Sequence, residues 1–151
     1  MFVLDFDPKL AASYYVDAHV VKIPLELAQV VSTVFWANNK TAPYKPTHKN
    51  HPLTLWAGES LGNMEWLLCH AFALGEEYTR RYGKVHKSIG VLKELNQNLD
   101  IDFPEYDPTP FALCMPQEYK CESAVQSYRN YYLKEKRHLA KWKTQKPSWW
   151  I

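Results

Sequence analysis

Apolar residues recur along most of this chain at three- and four-residue intervals, the spacing that collects them on one face of an α-helix. The fullest case runs from about Pro8 to Ala37. At 100° per residue Leu10, Tyr14, Ala18, Val21, Leu25, Ala28 and Phe35 fall on one side, and Val16, Val20, Ile23, Leu27, Val30, Val31 and Val34 carry the arc past half the circumference. What remains is a narrow polar stripe of His19, Lys22, Glu26, Gln29 and Thr33. A helix this apolar is buried, so the stripe either meets solvent through a slot or lines a cleft.

Punctuation marks out the other elements. Asp7-Pro8 predicts an N-cap followed by proline at the first helical position, and Asn38-Asn39 a stop. Residues Lys40 to His51 read as a loop. Pro52 opens the next helix, which carries on with interruptions at Gly58 and Gly62 towards Tyr82-Gly83, and a further helix spans about Ser88 to Asn98. The segment Asp100 to Pro116 holds four prolines and reads as an ordered crossing loop; a last long helix is expected from about Glu122 to Trp142. Phe2 to Phe6 alternates weakly, as a short strand or an extended entry. These elements predict a mainly α fold: one domain over residues 1–151, a bundle of about five helices with a long Pro-rich crossing loop.

Two residues break the pattern of the first helix. Asp17 projects onto its apolar side, where a carboxylate needs a partner such as Arg80, Arg81 or Arg129. Pro24 removes a backbone donor in mid-helix and is expected to kink it near Val20.

Composition narrows the class. The 151 residues are 46% hydrophobic, 23% charged and 15% aromatic, which fits a globular core and excludes a disordered or collagen-like chain. No uninterrupted apolar run reaches the roughly 18 residues of a membrane span, and the start lacks a signal-peptide pattern. Cys69, Cys114 and Cys121 lack paired-motif spacing and read as free thiols in a reducing, cytoplasmic setting. The net charge of +2 conceals an asymmetry: residues 120–151 hold eight basic residues against two acidic ones, while the body before them is net acidic.

That uneven charge bears on partners. In the C-terminal segment 120–151, Arg129, Lys134, Lys136, Arg137, Lys141 and Lys143 interleave with Tyr128, Tyr131, Tyr132, Trp142, Trp149 and Trp150. Cations meet phosphates and flat rings meet bases, so this composition suits nucleic acid; it equally suits a helix with a solvated basic face and tyrosines in the core. A second cluster, Tyr44-Lys45-Pro46-Thr47-His48-Lys49-Asn50-His51, precedes a helix start that His51 or Asn50 would cap. With the helix dipole alongside, it reads as a phosphate or carboxylate pocket or as a basic solvated loop. His48 and His51 lack the companion ligands of a metal motif, so no metal or cofactor is expected. Arg81 and His86 would extend the anion surface, or else simply complement a helix end. Thr109 to Pro116 is apolar between prolines and reads as a core plug.

Read in order, four short motifs resemble a group of small phage and bacterial helical proteins related to the pyrimidine-dimer DNA glycosylase (endonuclease V) family. They are Asp7 to Ala12, the His-x-x-Lys-x-x-x-Glu-x-x-Gln stripe of His19 to Gln29, the Asn-His-Pro start at Asn50 followed by Trp56, and Lys146 to Trp149. The resemblance implies an all-helical DNA-binding scaffold and cleavage of a glycosyl bond by an amine helped by a glutamate. That amine is the α-amino group exposed after Met removal, and Phe2 is too bulky for ordinary removal, so the nucleophile does not carry over. Glu26 is the residue that can be placed on the family's glutamate.

The leading expectation is therefore a DNA glycosylase-type enzyme acting on a modified or damaged base. Glu26 would be general acid/base, Lys22 an amine nucleophile if its pKa is lowered, and His19 a partner on the same stripe. Gln29, Tyr44, Lys45, His48, Lys49, Asn50, His51, Trp56, Arg81 and His86 would bind substrate, with a flipped base stacking on Trp56 or Tyr44. An enzyme of free nucleotides or phosphorylated metabolites, and a non-catalytic nucleic-acid-binding accessory protein, are the alternatives. The expected location is cytoplasmic, in the host where the source is a phage.

Overall fold

The computed structural model describes residues 1–151 and contains six α-helices, two 3-10 turns and no strand. The helices are α1 (Pro8–Ser13), α2 (Asp17–Ala37), α3 (Pro52–Glu59), α4 (Leu61–Tyr82), α5 (Ser88–Gln97) and α6 (Ala124–Glu135). Residues 2–6 enter as extended chain. Asp7 caps α1, accepting from the N–H groups of Lys9 and Leu10, and Pro8 occupies the first helical position. The mainly α expectation holds. Its single first helix does not.

The break falls at Tyr14 to Val16, and its cause is tertiary. The guanidinium of Arg81, buried on α4, donates to the carbonyls of Ser13 and Tyr15 at 3.1 and 2.7 Å, while the Trp142 indole N–H donates to that of Tyr14 at 3.0 Å. Carbonyls so occupied no longer need the N–H groups four residues ahead, and α2 starts afresh at Asp17. The same Arg81 pairs with Asp17 Oδ1 at 3.0 Å and with buried Glu77 at 3.0 Å, which supplies the partner that Asp17 needs. Helix α2 then runs unbroken through Pro24.

The last helix is also shorter than predicted, ending at Glu135 rather than near Trp142. Beyond it the chain serves tertiary bonds that a helix would forbid. Lys141 O accepts the Asp17 N–H at 2.8 Å, and the Lys143 N–H donates to Asp17 Oδ1 at 3.0 Å. Residues 141–151 thereby strap the start of α2, with Trp150 buried against Tyr132.

Ser60, in extended conformation, separates α3 from α4 and caps α4 through Asn63 N–H at 2.9 Å. The predicted interruptions at Gly58 and Gly62 instead lie inside helices. Gly62 is needed for proximity: a Cβ there would lie 2.7 Å from Pro108 N of the crossing loop. That loop pairs with the helix start, Leu61 N–H to Glu105 O and Gly62 N–H to Tyr106 O, both 2.9 Å. Phe111 and Met115 then drop into the core as a plug.

Helix α2 is the axis of the bundle, packed by α3, α4 and α5, with a continuous core from Val3 to Trp150. By length and composition α2 alone would suffice to cross a membrane, with mean hydropathy 1.4 over its most apolar stretch. Here more than half of that stretch is buried in the core, while Val21, Leu25 and Trp36 remain exposed.

Candidate functional site

A pocket of about 450 Å³ opens beside α2, within the size range of small-molecule sites. One wall is Glu26, Gln29 and Val30 of α2. The loop residues Thr47 and His48, with His51, Leu53 and Thr54 at the start of α3, form the second. Met1, Phe2, Cys114 and Tyr131 of α6 close the third. It thus draws on residues from both ends of the chain.

The loop wall is held by a residue of the polar stripe. Thr33 is buried on α2, its hydroxyl donating within the helix to Gln29 O at 2.8 Å while lying 3.1 Å from Thr47 O and accepting the Thr47 N–H at 3.0 Å. His48 follows at φ 47°, a left-handed backbone uncommon for a non-glycine residue. His51 caps α3 through Nδ1, which accepts the Leu53 N–H at 3.1 Å. With Nδ1 accepting, the proton of neutral His51 sits on Nε2.

Glu26 pairs with Lys22 at 3.6 Å on the pocket rim, both side chains substantially exposed. His19 lies behind the wall rather than in it. It stacks on Phe2 with ring centroids 4.6 Å apart, and its Nδ1 is 2.8 Å from the Tyr132 hydroxyl. That hydroxyl also accepts the Val16 N–H at 3.0 Å. Burial, with Lys136 adding like-charge repulsion, holds His19 down to about 4, so it is a neutral support.

The amino-terminal residues are clamped from below. Phe2 N–H donates to the Tyr15 hydroxyl at 2.6 Å, and that hydroxyl shares its proton between Phe2 O at 2.9 Å and His70 Nε2 at 2.8 Å. His70 is fully buried with Nδ1 2.9 Å from Pro8 O, and burial pushes its pKa down to about 4. Lys136 lies over the Phe2 and Tyr131 rings. This clamp sets Met1 among the residues that line the pocket, beside Glu26. Burial lowers the pKa of the Met1 α-amino group, against an opposing pull from Glu26.

Of the residues singled out in the sequence, the pocket gathers Glu26, Gln29, His48 and His51, with Lys22 on its rim. Others serve the scaffold. Trp56 is buried and stacks on Phe111 at 5.5 Å, leaving no free face for a base. Tyr44 accepts the Trp36 indole N–H through its carbonyl at 2.8 Å and stands outside the pocket. Arg81 is the buried ion-pair hub. His86 accepts the Ser88 N–H at 3.0 Å and reaches Val21 O at 2.8 Å, fastening α5 to α2. Lys45, Lys49 and Asn50 are exposed on the loop.

The C-terminal cations divide likewise. Arg129 bonds Leu4 O at 2.8 Å and Asp5 at 3.2 Å beneath Trp149, and Arg137 lies over Trp150. Those aromatics have intramolecular partners. Lys134, Lys141 and Lys143 remain exposed. Sequence reasoning missed Met1, Phe2, Thr47, Thr54, Cys114 and Tyr131 as pocket residues, although Thr47, Thr54, Cys114 and Tyr131 sat inside stretches marked for other reasons. No family model, curated protein or solved structure matches the chain.

Proposed function

We propose that this pocket is the catalytic site of a DNA-processing enzyme of glycosylase type, acting on a modified or damaged base in repair or modification. One observation carries the reading: an amine with a lowered pKa and a carboxylate, Met1 and Glu26, share one pocket. Desolvation keeps more of the amine unprotonated near neutral pH, which is what a nitrogen nucleophile requires. Its lone pair attacks C1′ of the nucleotide. The C1′–base bond breaks, and the base departs with its electron pair and a proton, delivered by Glu26 acting as acid or by water. Loss of a proton from the new secondary amine and opening of the sugar then leave an imine between Met1 N and C1′. Lys22 is the other amine within reach of Glu26, and its exposure makes it the weaker nucleophile.

A second reading is supported by a different observation. The tail aromatics are occupied internally and the pocket holds about one nucleotide's volume, which suits an enzyme of free nucleotides. One experiment separates the two. The full chain, with its Met1 amine free, is incubated with oligonucleotides bearing an abasic site or a panel of altered bases, and reduced with borohydride. The expected result is a covalent adduct mapping to Met1 and base release that Glu26→Gln lowers by two orders of magnitude or more. Absence of adduct and release across the panel, with thermal stabilisation by a mononucleotide, would establish the second reading instead.

A further inference from the structure

The first turn of α3 contains donors that the protein itself leaves unused. Pro52 has no N–H, the Leu53 N–H is taken by His51 Nδ1, and the Leu55 N–H begins the helical ladder on His51 O at 3.0 Å. Between them the Thr54 N–H meets no acceptor. The Thr54 side chain is the second observation: the residue is 5% exposed, lines the pocket, and its hydroxyl bonds no other group of the protein. An unpartnered hydroxyl on an otherwise buried residue, at a helix start beside an unused amide, is a donor pair open to an acceptor. The Nε2–H of His51 and the imidazole of His48 stand on the same wall. Lys49 lies in a shallow depression on the other side of Thr54. The one carboxylate of the pocket, Glu26, belongs to the opposite wall.

The geometry points to a phosphate subsite at the α3 start, built by the Thr54 amide and hydroxyl with His51 and His48. There it receives the phosphate of the nucleotide whose sugar faces Glu26. This rests on the nucleotide reading of the pocket. Several donors of different reach around a helix N-terminus suit a tetrahedral oxyanion with three outward oxygens better than a planar carboxylate. The phosphate has two sources, the terminal group of a free nucleotide or an internal diester of a strand, and the same donors serve both.

The test titrates the full chain with acetate, inorganic phosphate, the four deoxynucleosides, their 5′-monophosphates and a short single strand without terminal phosphate. It follows affinity and the Thr54 amide resonance. The expected results are a monophosphate or a strand bound at least tenfold tighter than the nucleoside, and a Thr54 amide shift with phosphate that acetate does not reproduce. Thr54→Val should remove about tenfold of that preference and leave nucleoside affinity unchanged, and Thr54→Ser should restore it. Preference for the monophosphate identifies a free nucleotide as the source; preference for the strand identifies a diester. Equal binding of nucleoside and phosphorylated forms, an unmoved Thr54 amide, or full affinity in Thr54→Val would each overturn the subsite. If Thr54→Val fails to fold, the amide shift and Thr54→Ser decide. Phosphate binding without DNA adducts would remove the glycosylase reading alone; adducts with unaltered Thr54→Val binding would remove the subsite alone.

Discussion

At the scale of single residues, two buried imidazoles do the quiet work. His19 and His70 hold Phe2 and Tyr15, and through them the amino terminus, and both stay neutral because burial brings their pKa from 6.5 to about 4. The folded chain therefore binds fewer protons than the unfolded one between those values. Stability is unaffected above pH 6.5, falls as pH drops towards 4, and levels off below that. Each histidine contributes a loss on the order of 3 kcal/mol over this window. Urea midpoints measured from pH 7 to 4 should fall steeply, and His70→Gln should flatten the fall by about half. Glu26 acts at the same scale. Glu26→Gln should leave the unfolding midpoint within about 0.5 kcal/mol of wild type, being half exposed and paired only on the surface, so any loss of the proposed base release would be read free of a loss of fold.

The walls of the pocket belong to the scale of elements. The loop before α3 is pinned by Thr33, so Thr33→Val should cost about 1–3 kcal/mol and raise amide exchange at Thr47 and His48 without moving α4. The crossing loop is seated by Gly62, where added bulk meets the backbone of Pro108 at 2.7 Å rather than a side chain that can swing aside. Gly62→Ala should therefore cost about 1–3 kcal/mol, read by thermal unfolding. Element boundaries were legible where the signal was local: Asp7-Pro8, the His51-Pro52 start and the Gly83 stop all lie where chain chemistry put them. They were illegible where a distant group decided. Nothing near Tyr14 announces that Arg81 and Trp142 will take its neighbourhood's carbonyls.

Over the whole molecule, Arg81 ties α1, α2 and α4 to one another, and the C-terminal segment locks over them. Removing it leaves Asp17 without an ionic partner and Glu77 with Arg80 alone, so Arg81→Met should cost about 3–5 kcal/mol. The basic tail divides by the same logic. Replacing Lys134 and Lys141 with alanine should leave the unfolding temperature unchanged and, if DNA lies along that face, reduce the salt slope of binding by up to about 2. Arg129→Ala and Arg137→Ala should instead destabilise the fold, because those guanidiniums cover Trp149 and Trp150.

Periodicity, caps and prolines determined from the chain alone that this is a helical domain, that its most apolar helix is buried, and that Glu26 and Gln29 share a face with Lys22. Such features depend on residues within a few positions of one another, so they can be read in line. Which of the polar groups form a site was decided by the tertiary structure. It turned His19 inward onto Tyr132, spent Arg81 and His86 on the scaffold, and covered the rings of Trp56 and Trp150. It also brought Met1, Cys114 and Tyr131 to a wall whose partners lie between 26 and 54 in the chain. Burial and proximity arise only when distant segments pack, and they decide whether a polar residue faces a ligand or a neighbouring helix.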